Sequence, residues 1–237
     1  MANSYFKPIN YYIENRFVCN KKYQDSYSNV KRIVVVGDIH GDFNILITCL
    51  KKAQVINDSR EWIGGSTHVV QLGDILDKGG RGINSSAQSM EEFSIFEFLN
   101  YLDTEAEKHG GKVHYLIGNH EIMNIQGDFR YVHKKHLNHT GNKIRRHLFE
   151  PGGYMAKLLA CHSYGVLKIN KWFFCHAGLL PKHVTSKSIS QINEIVRNIL
   201  TGKKKGGLTK YEEDLLFSKD SIFWNREYFF NQNKCNI

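Results

Sequence analysis

Three apolar runs, each closed by glycine and then a carboxylate or amide residue, constrain the fold of this chain more than any other feature. They read KRIVVVGD at 31–38, THVVQLGD at 67–74 and KVHYLIGN at 112–119. Short, continuous runs rich in β-branched residues are the pattern of strands buried in a parallel sheet. The segments between them carry helical spacing. Leu46, Leu50 and Ala53 recur at i, i+4 and i+7, while Phe93, Phe96, Leu99 and Tyr101 form one broad stripe that Gly110 and Gly111 close. Strand–helix–strand–helix–strand predicts an α/β fold, a parallel sheet with right-handed crossovers. A fourth run, KWFFCHAG at 171–178, follows an expected helix at GGYMAKLLACH and a short strand at GVLKIN, the two strands pairing as a hairpin through Asn170–Lys171. Beyond residue 185 the spacing is helical again, in SISQINEIVRNIL and TKYEEDLLF. With 237 residues, 41 % of them hydrophobic, the chain can bury a sizeable core. No linker interrupts it, so one domain is expected over residues 31–237, after an N-terminal extension of residues 1–30.

In open α/β sheets, ligands bind beyond the carboxyl ends of the strands. Four such ends carry Asp38-Ile39-His40, Asp74, Asn119-His120 and Cys175-His176. Carboxylates, an amide carbonyl and imidazoles suit divalent Mn, Fe, Zn or Mg, and the lack of clustered thiolates argues against a structural zinc site. Asp74, between two groups of donors, is placed to bridge two ions. Two ions roughly 4 Å apart clamp an in-line displacement at phosphorus. A lone Asp after a glycine is most often a cap or turn former, and a lone buried His is most often a hydrogen-bonded core residue. Repetition at four successive strand tips favours a site.

In order, Gly37-Asp38-Ile39-His40-Gly41, Gly73-Asp74-Ile75-Leu76-Asp77-Lys78-Gly79, Gly118-Asn119-His120-Glu121 and His176-Ala177-Gly178 resemble the GDxHG, GDxxDRG, GNHE and HGG blocks of the calcineurin-like metallophosphoesterases. They resemble most the phosphoprotein phosphatase branch. GNHEIMNIQGDFRYV at 118–132, PGG at 151–153 and Trp224-Asn225-Arg226-Glu227-Tyr228 are similar to the Shewanella-like protein phosphatases. The resemblance implies a layered fold of βαβαβ-derived sheets flanked by helices, with two divalent metal ions and a phosphorylated protein or peptide as substrate. It places Asp38 and His40 on the first ion, Asp74 as the bridge, and Asn119 with His176 on the second. His120 then donates a proton to the leaving alkoxide, Asp77 orients and charges it, and hydroxide held by the metals attacks phosphorus directly. A general acid beside dications needs a carboxylate partner to stay protonated near neutral pH, which Asp77 supplies. Glu121 is expected behind these ligands as a hydrogen-bond acceptor.

Three departures from the family pattern matter. Lys78 stands where the family has an arginine fork, so weaker phosphate positioning is expected, with Arg81, Arg226 and Asn119 as further phosphate contacts. Ala177 replaces the middle glycine of HGG and is tolerated unless that backbone needs a positive φ. The family's last histidine ligand lies in a GHT-type block after the WxRxY segment, whereas this sequence ends in NKCNI. The expectation is therefore a domain lacking its C-terminal strands, with a second metal one ligand short.

The net charge of +9 is concentrated in HKKH at 133–136, KIRRH at 143–147 and KKK at 203–205, which read as solvated surface. No zinc knuckle, RNA-recognition signature or aromatic–basic interleaving accompanies them, so no specific nucleic-acid partner is expected. No stretch reaches the roughly 20 apolar residues of a membrane span, and the N-terminus lacks an apolar signal region. Five scattered cysteines without a CxxC pair predict no disulfide framework and a reducing, cytoplasmic setting. Two alternatives stand beside the phosphoprotein phosphatase: a hydrolase of dinucleoside polyphosphates or other small phosphoesters, and a phosphate-binding module with weakened catalysis.

Overall fold

A computed structural model describes residues 7–79, 91–204 and 206–230, and the expected phosphate contact Arg81 lies outside them. In chain order the first elements are α1 (Ile9–Glu14), β1 (Ser26–Tyr27), β2 (Ile33–Val36), α2 (Phe43–Lys52), β3 (His68–Gln71), α3 (Glu91–Glu107) and β4 (Lys112–Leu116). They are followed by α4 (Asn119–Gln126), α5 (Lys134–Phe149), α6 (Tyr154–His162), β5 (Ser163–Tyr164), β6 (Leu167–Ile169) and β7 (Trp172–Phe174). The last helices are α7 (Pro181–Val184), α8 (Ile189–Leu200), α9 (Lys210–Leu216) and α10 (Glu227–Phe230).

The three apolar runs become β2, β3 and β4 of a four-stranded parallel sheet, order β2-β3-β4-β5, with Val69 opposite both Val34 and Val113. A smaller sheet, order β1-β6-β7, pairs β1 parallel to β6 and joins β6 to β7 as the expected hairpin, turning at Asn170 with φ +55°. Alternation along the strands builds the layers. Val69, Val113 and Tyr115 point into the large core under the helices, while Val70 and Leu116 point the other way, onto Leu167 and Ile169 of the smaller sheet. Helices, sheet and second sheet therefore stack as the metallophosphoesterase resemblance implies. One strand departs from the buried pattern. Val35 is 48 % exposed, because β2 is an edge strand and packing against the smaller sheet reaches only Ile33.

Two expectations need correction. Cys19 and Cys161 are joined in a disulfide, although scattered cysteines argued for none. The partners are 142 residues apart, and only the docking of the N-terminal segment on α6 brings them together. The inference of a reducing setting loses its premise. That docking is extensive: the Tyr12 ring sits 5.3 Å from both Phe93 and Tyr154, and β1 adds a strand to the smaller sheet. Second, the basic runs are not uniformly solvated. Arg145 is 0 % and His136 2 % exposed, because both meet the buried carboxylate of Glu92. Among the described residues, no helix is long and apolar enough to cross a membrane.

Candidate active site

The strand tips converge through backbone contacts before any side chain is considered. The amides of Ile39 and His40 both donate to the Asp74 carbonyl, at 3.2 and 2.9 Å, and Gly41 donates to Ile75 at 2.6 Å. Gln71 ties the same loop together, its side chain accepting from Gly73 N at 2.9 Å and donating to the Gly73 carbonyl at 2.6 Å. A Cβ on Gly118 would collide with the Asp74 backbone amide and carboxylate, so this close approach requires glycine. Three polar residues here hold left-handed backbones that L-residues disfavour: His40 at φ +42°, Asp74 at +51° and Asp77 at +71°.

Glu121, in the first turn of α4, maintains that strained loop. Its Oε1 accepts from Ile75 N and Leu76 N at 2.9 and 3.0 Å, and its Oε2 from Asp74 N and Gly118 N at 2.9 and 2.7 Å. Burial and the Asp74 charge push the Glu121 pKa up to about 7. Four N–H donors oppose that shift and leave no acceptor for a carboxyl proton, so we assign a carboxylate.

The donor atoms fit a metal centre. His40 Nδ1 lies 3.1 Å from the Leu76 carbonyl, and His176 Nδ1 lies 2.8 Å from the Leu72 carbonyl. A carbonyl only accepts, so each ring donates from Nδ1 and turns Nε2 inward. His176 Nε2 faces Asn119 Oδ1 at 2.9 Å and Asp74 Oδ2 at 3.5 Å, while His40 Nε2 is 3.9 Å from both Asp38 and Asp74. Imidazole nitrogens converging with carboxylate and amide oxygens make a donor set that suits a divalent cation. Two sets of donors, His40/Asp74/His120 and Asp38/Asp74/His176, each gather within 4.8 Å. Asp74 belongs to both, as a bridging carboxylate must.

His120 follows Asn119 in α4, with its Nδ1 2.9 Å from Asp77 Oδ2 and its backbone amide donating to Asp74 Oδ1 at 3.0 Å. Burial by itself would lower the His120 pKa. The hydrogen bond to Asp77 and the charge of Asp74 outweigh it and raise the value above the ordinary imidazole.

The expected phosphate contacts are arranged less simply. Lys78 is buried, with Nζ 3.3 Å from Asp42 and 3.4 Å from Glu91. Arg226 is exposed and donates to the carbonyls of Trp224 and Asn225. Its segment packs on the His176 loop, Asn225 Nδ2 donating to the Gly178 carbonyl at 2.6 Å. Ala177 has no positive φ, so its methyl is accommodated. Sequence reasoning missed Asn124, which donates to both Asp77 oxygens at 3.0 and 3.1 Å, and Tyr131, whose ring lies 5.2 Å from that of His120. Both lie inside the 118–132 stretch, a signal that was available but unassigned.

Comparison with known proteins agrees with this geometry. The calcineurin-like phosphoesterase family profile matches residues 31–231. Shewanella-like protein phosphatase 2 of Arabidopsis thaliana is 34 % identical, over 88 % of this chain and 61 % of that protein. Shewanella-like protein phosphatase 1 of Plasmodium berghei is 30 % identical, over 92 % of this chain and 60 % of its own length. A solved cold-active protein tyrosine phosphatase superposes with a TM-score of 0.69 at 27 % identity, covering 87 % of this chain and 59 % of that one. The chain thus spans about 60 % of the length of these relatives. With its ordered blocks gathered at the strand tips, the chain belongs to the calcineurin-like phosphoesterase family and within it resembles the Shewanella-like protein phosphatases.

Proposed function

We propose that the chain is a metal-dependent phosphomonoesterase acting on phosphorylated side chains of a protein or peptide, with two divalent ions as cofactors. The observation that carries this reading is Asp74, shared by both groups of metal donors and flanked by the His120–Asp77 pair. The names of the relatives favour a phosphoprotein over a small phosphoester.

When bound, the ions supply an activated water and neutralise charge on the phosphoryl oxygens. The donors gather as His40/Asp74/His120 and Asp38/Asp74/His176. Following the family resemblance, Asp38, His40 and Asp74 would hold one ion and Asp74, Asn119 and His176 the other, which leaves His120 to the proton. Asp77 receives the Nδ1–H of His120, which orients the protonated ring so that Nε2–H is offered to the leaving oxygen. Asn119, Lys78 and Arg226 are proposed to bind phosphate. For Lys78 this requires a turn away from Asp42 and Glu91. A lysine moves this way more readily than a planar guanidinium held by two carboxylates.

Hydrolysis of p-nitrophenyl phosphate with added Mn²⁺ tests the reading, with Asp74→Asn expected to abolish it. Equal turnover in Asp74→Asn, or in wild type with EDTA, refutes it. Phosphopeptides assayed beside diadenosine tetraphosphate separate the two substrate classes.

A further inference from the structure

We propose, resting on the function above, that Arg145 together with Glu92 is a positioning residue for the His120–Asp77 pair: it locks the Asp77 carboxylate so that the imidazole presents its proton to the leaving group. Arg145 lies in α5, in a run that looks like surface, yet it is completely buried. Its guanidinium carbon sits 5.0 Å from the Phe149 ring, 5.7 Å from Phe129 and 5.9 Å from Phe93. A guanidinium withdrawn from water into an aromatic box is costly unless its hydrogen-bonding groups meet carboxylates.

The Arg145 fork is directed at Asp77 by three routes. Nε donates to Asn124 Oδ1 at 2.8 Å, and Asn124 Nδ2 donates in turn to both Asp77 oxygens and to the His120 carbonyl, the last at 2.9 Å. Nη1 pairs with Glu92 Oε1, and Glu92 Oε2 accepts from the Asp77 backbone amide at 3.2 Å. Nη2 lies 3.5 Å from Asp77 Oδ1, an ion pair too long for a hydrogen bond. That nitrogen has no hydrogen-bond partner among the described residues, so its placement serves the Asp77 charge. Glu92 also faces His136 at 3.5 Å. Asp77 itself is fully buried on a left-handed backbone, and local chain preference does not aim its side chain. The Glu92 pair ties α5 to α3 and the Nε–Asn124 bond ties it to α4. Beyond that attachment, Asn124 Nδ2 and Arg145 Nη2 both converge on the Asp77 carboxylate.

In the step so assisted, the oxygen of water bonds to phosphorus, the ester P–O bond breaks, and the leaving oxygen takes the proton from His120 Nε2. The water's protons leave with the phosphate product or to solvent, and solvent reprotonates His120. A leaving group of low pKa departs without that proton, and one of high pKa does not. The test is kcat on 2,4-dinitrophenyl phosphate and on phenyl phosphate, with Mn²⁺, for wild type, Arg145→Lys and Arg145→Met/Glu92→Gln. The double variant removes both buried charges together. Its kcat should fall about 100-fold on phenyl phosphate and less than about threefold on the dinitrophenyl ester, with Arg145→Lys intermediate and metal content unchanged. An equal fall on both esters, or none, overturns the proposal. If the double variant shows no cooperative melt, Arg145→Lys carries the same comparison. A second readout needs no turnover: the downfield proton resonance of His120 Nδ1–H in the metal-free protein should be lost in the variants. Its persistence in a folded variant overturns the proposal. Wild type inactive on both esters would refute the proposed function, and the resonance would then decide the role of Arg145.

Discussion

Replacing Glu121 by Gln changes no volume and tests whether the proposed metal bridge, Asp74, depends on a hydrogen-bond clamp. The carboxylate accepts four backbone N–H groups, two on each oxygen. In either amide orientation, Gln keeps one accepting oxygen and turns an NH2 toward the other two donors. Two buried N–H groups are then orphaned, at about 1–3 kcal/mol each, so stability should fall by roughly 2–6 kcal/mol. Against a typical total of about 5–15 kcal/mol that loss is large. The clamp also holds Asp74 at φ +51°, a conformation costing on the order of 1–3 kcal/mol. Once released, Asp74 relaxes away from the bridging position, and Mn²⁺ affinity should drop about 10–100-fold. Urea denaturation and Mn²⁺ calorimetry read these two effects. Both belong well above pH 7, the region to which the Glu121 pKa is pushed, so that the wild-type carboxylate is ionised. Stability within about 0.5 kcal/mol of wild type, with unchanged metal affinity, would refute the clamp.

Two further outcomes concern the scaffold. A disulfide spanning 142 residues removes much loop entropy from the unfolded chain, so Cys19→Ser/Cys161→Ser should lose roughly 2–5 kcal/mol. Equal gel mobility and equal unfolding midpoints with and without reductant would show that the bond does not form. Burial, with Lys21 and Lys112 nearby, pushes the His162 pKa from 6.5 down to about 4. The folded state therefore stays neutral where the unfolded chain takes up a proton. The full contribution holds above pH 6.5 and about 3 kcal/mol is lost as pH falls toward 4. Denaturation midpoints of wild type and His162→Gln across that window check this, and parallel curves for the two would contradict it.

The strand tips were legible because their information is local. A β-branched run ending in Gly-Asp or Gly-Asn states both a strand and a polar donor at its end, and β2, β3 and β4 form within those runs. The hairpin at Asn170 and the helices after residue 185 were legible for the same reason. Asp38, His40, Asp74, Asn119 and His120 follow, since parallel pairing of β2, β3 and β4 brings their ends together whatever their separation in sequence, while His176 arrives from β7 of the smaller sheet. What the sequence did not carry was pairing between charges and sulfurs from distant segments. KIRRH has the composition of a solvated helix face. Arg145 is buried only because α5 lays it across Glu92, 53 residues away, and beside the Asp77 loop. Cys19 meets Cys161 only because the Tyr12 segment docks on Phe93 and Tyr154. Backbone preference and hydrophobic period act over a few residues and are written along the chain. The energy of a buried charge depends on which opposite charge arrives in three dimensions, and only the tertiary structure decides that.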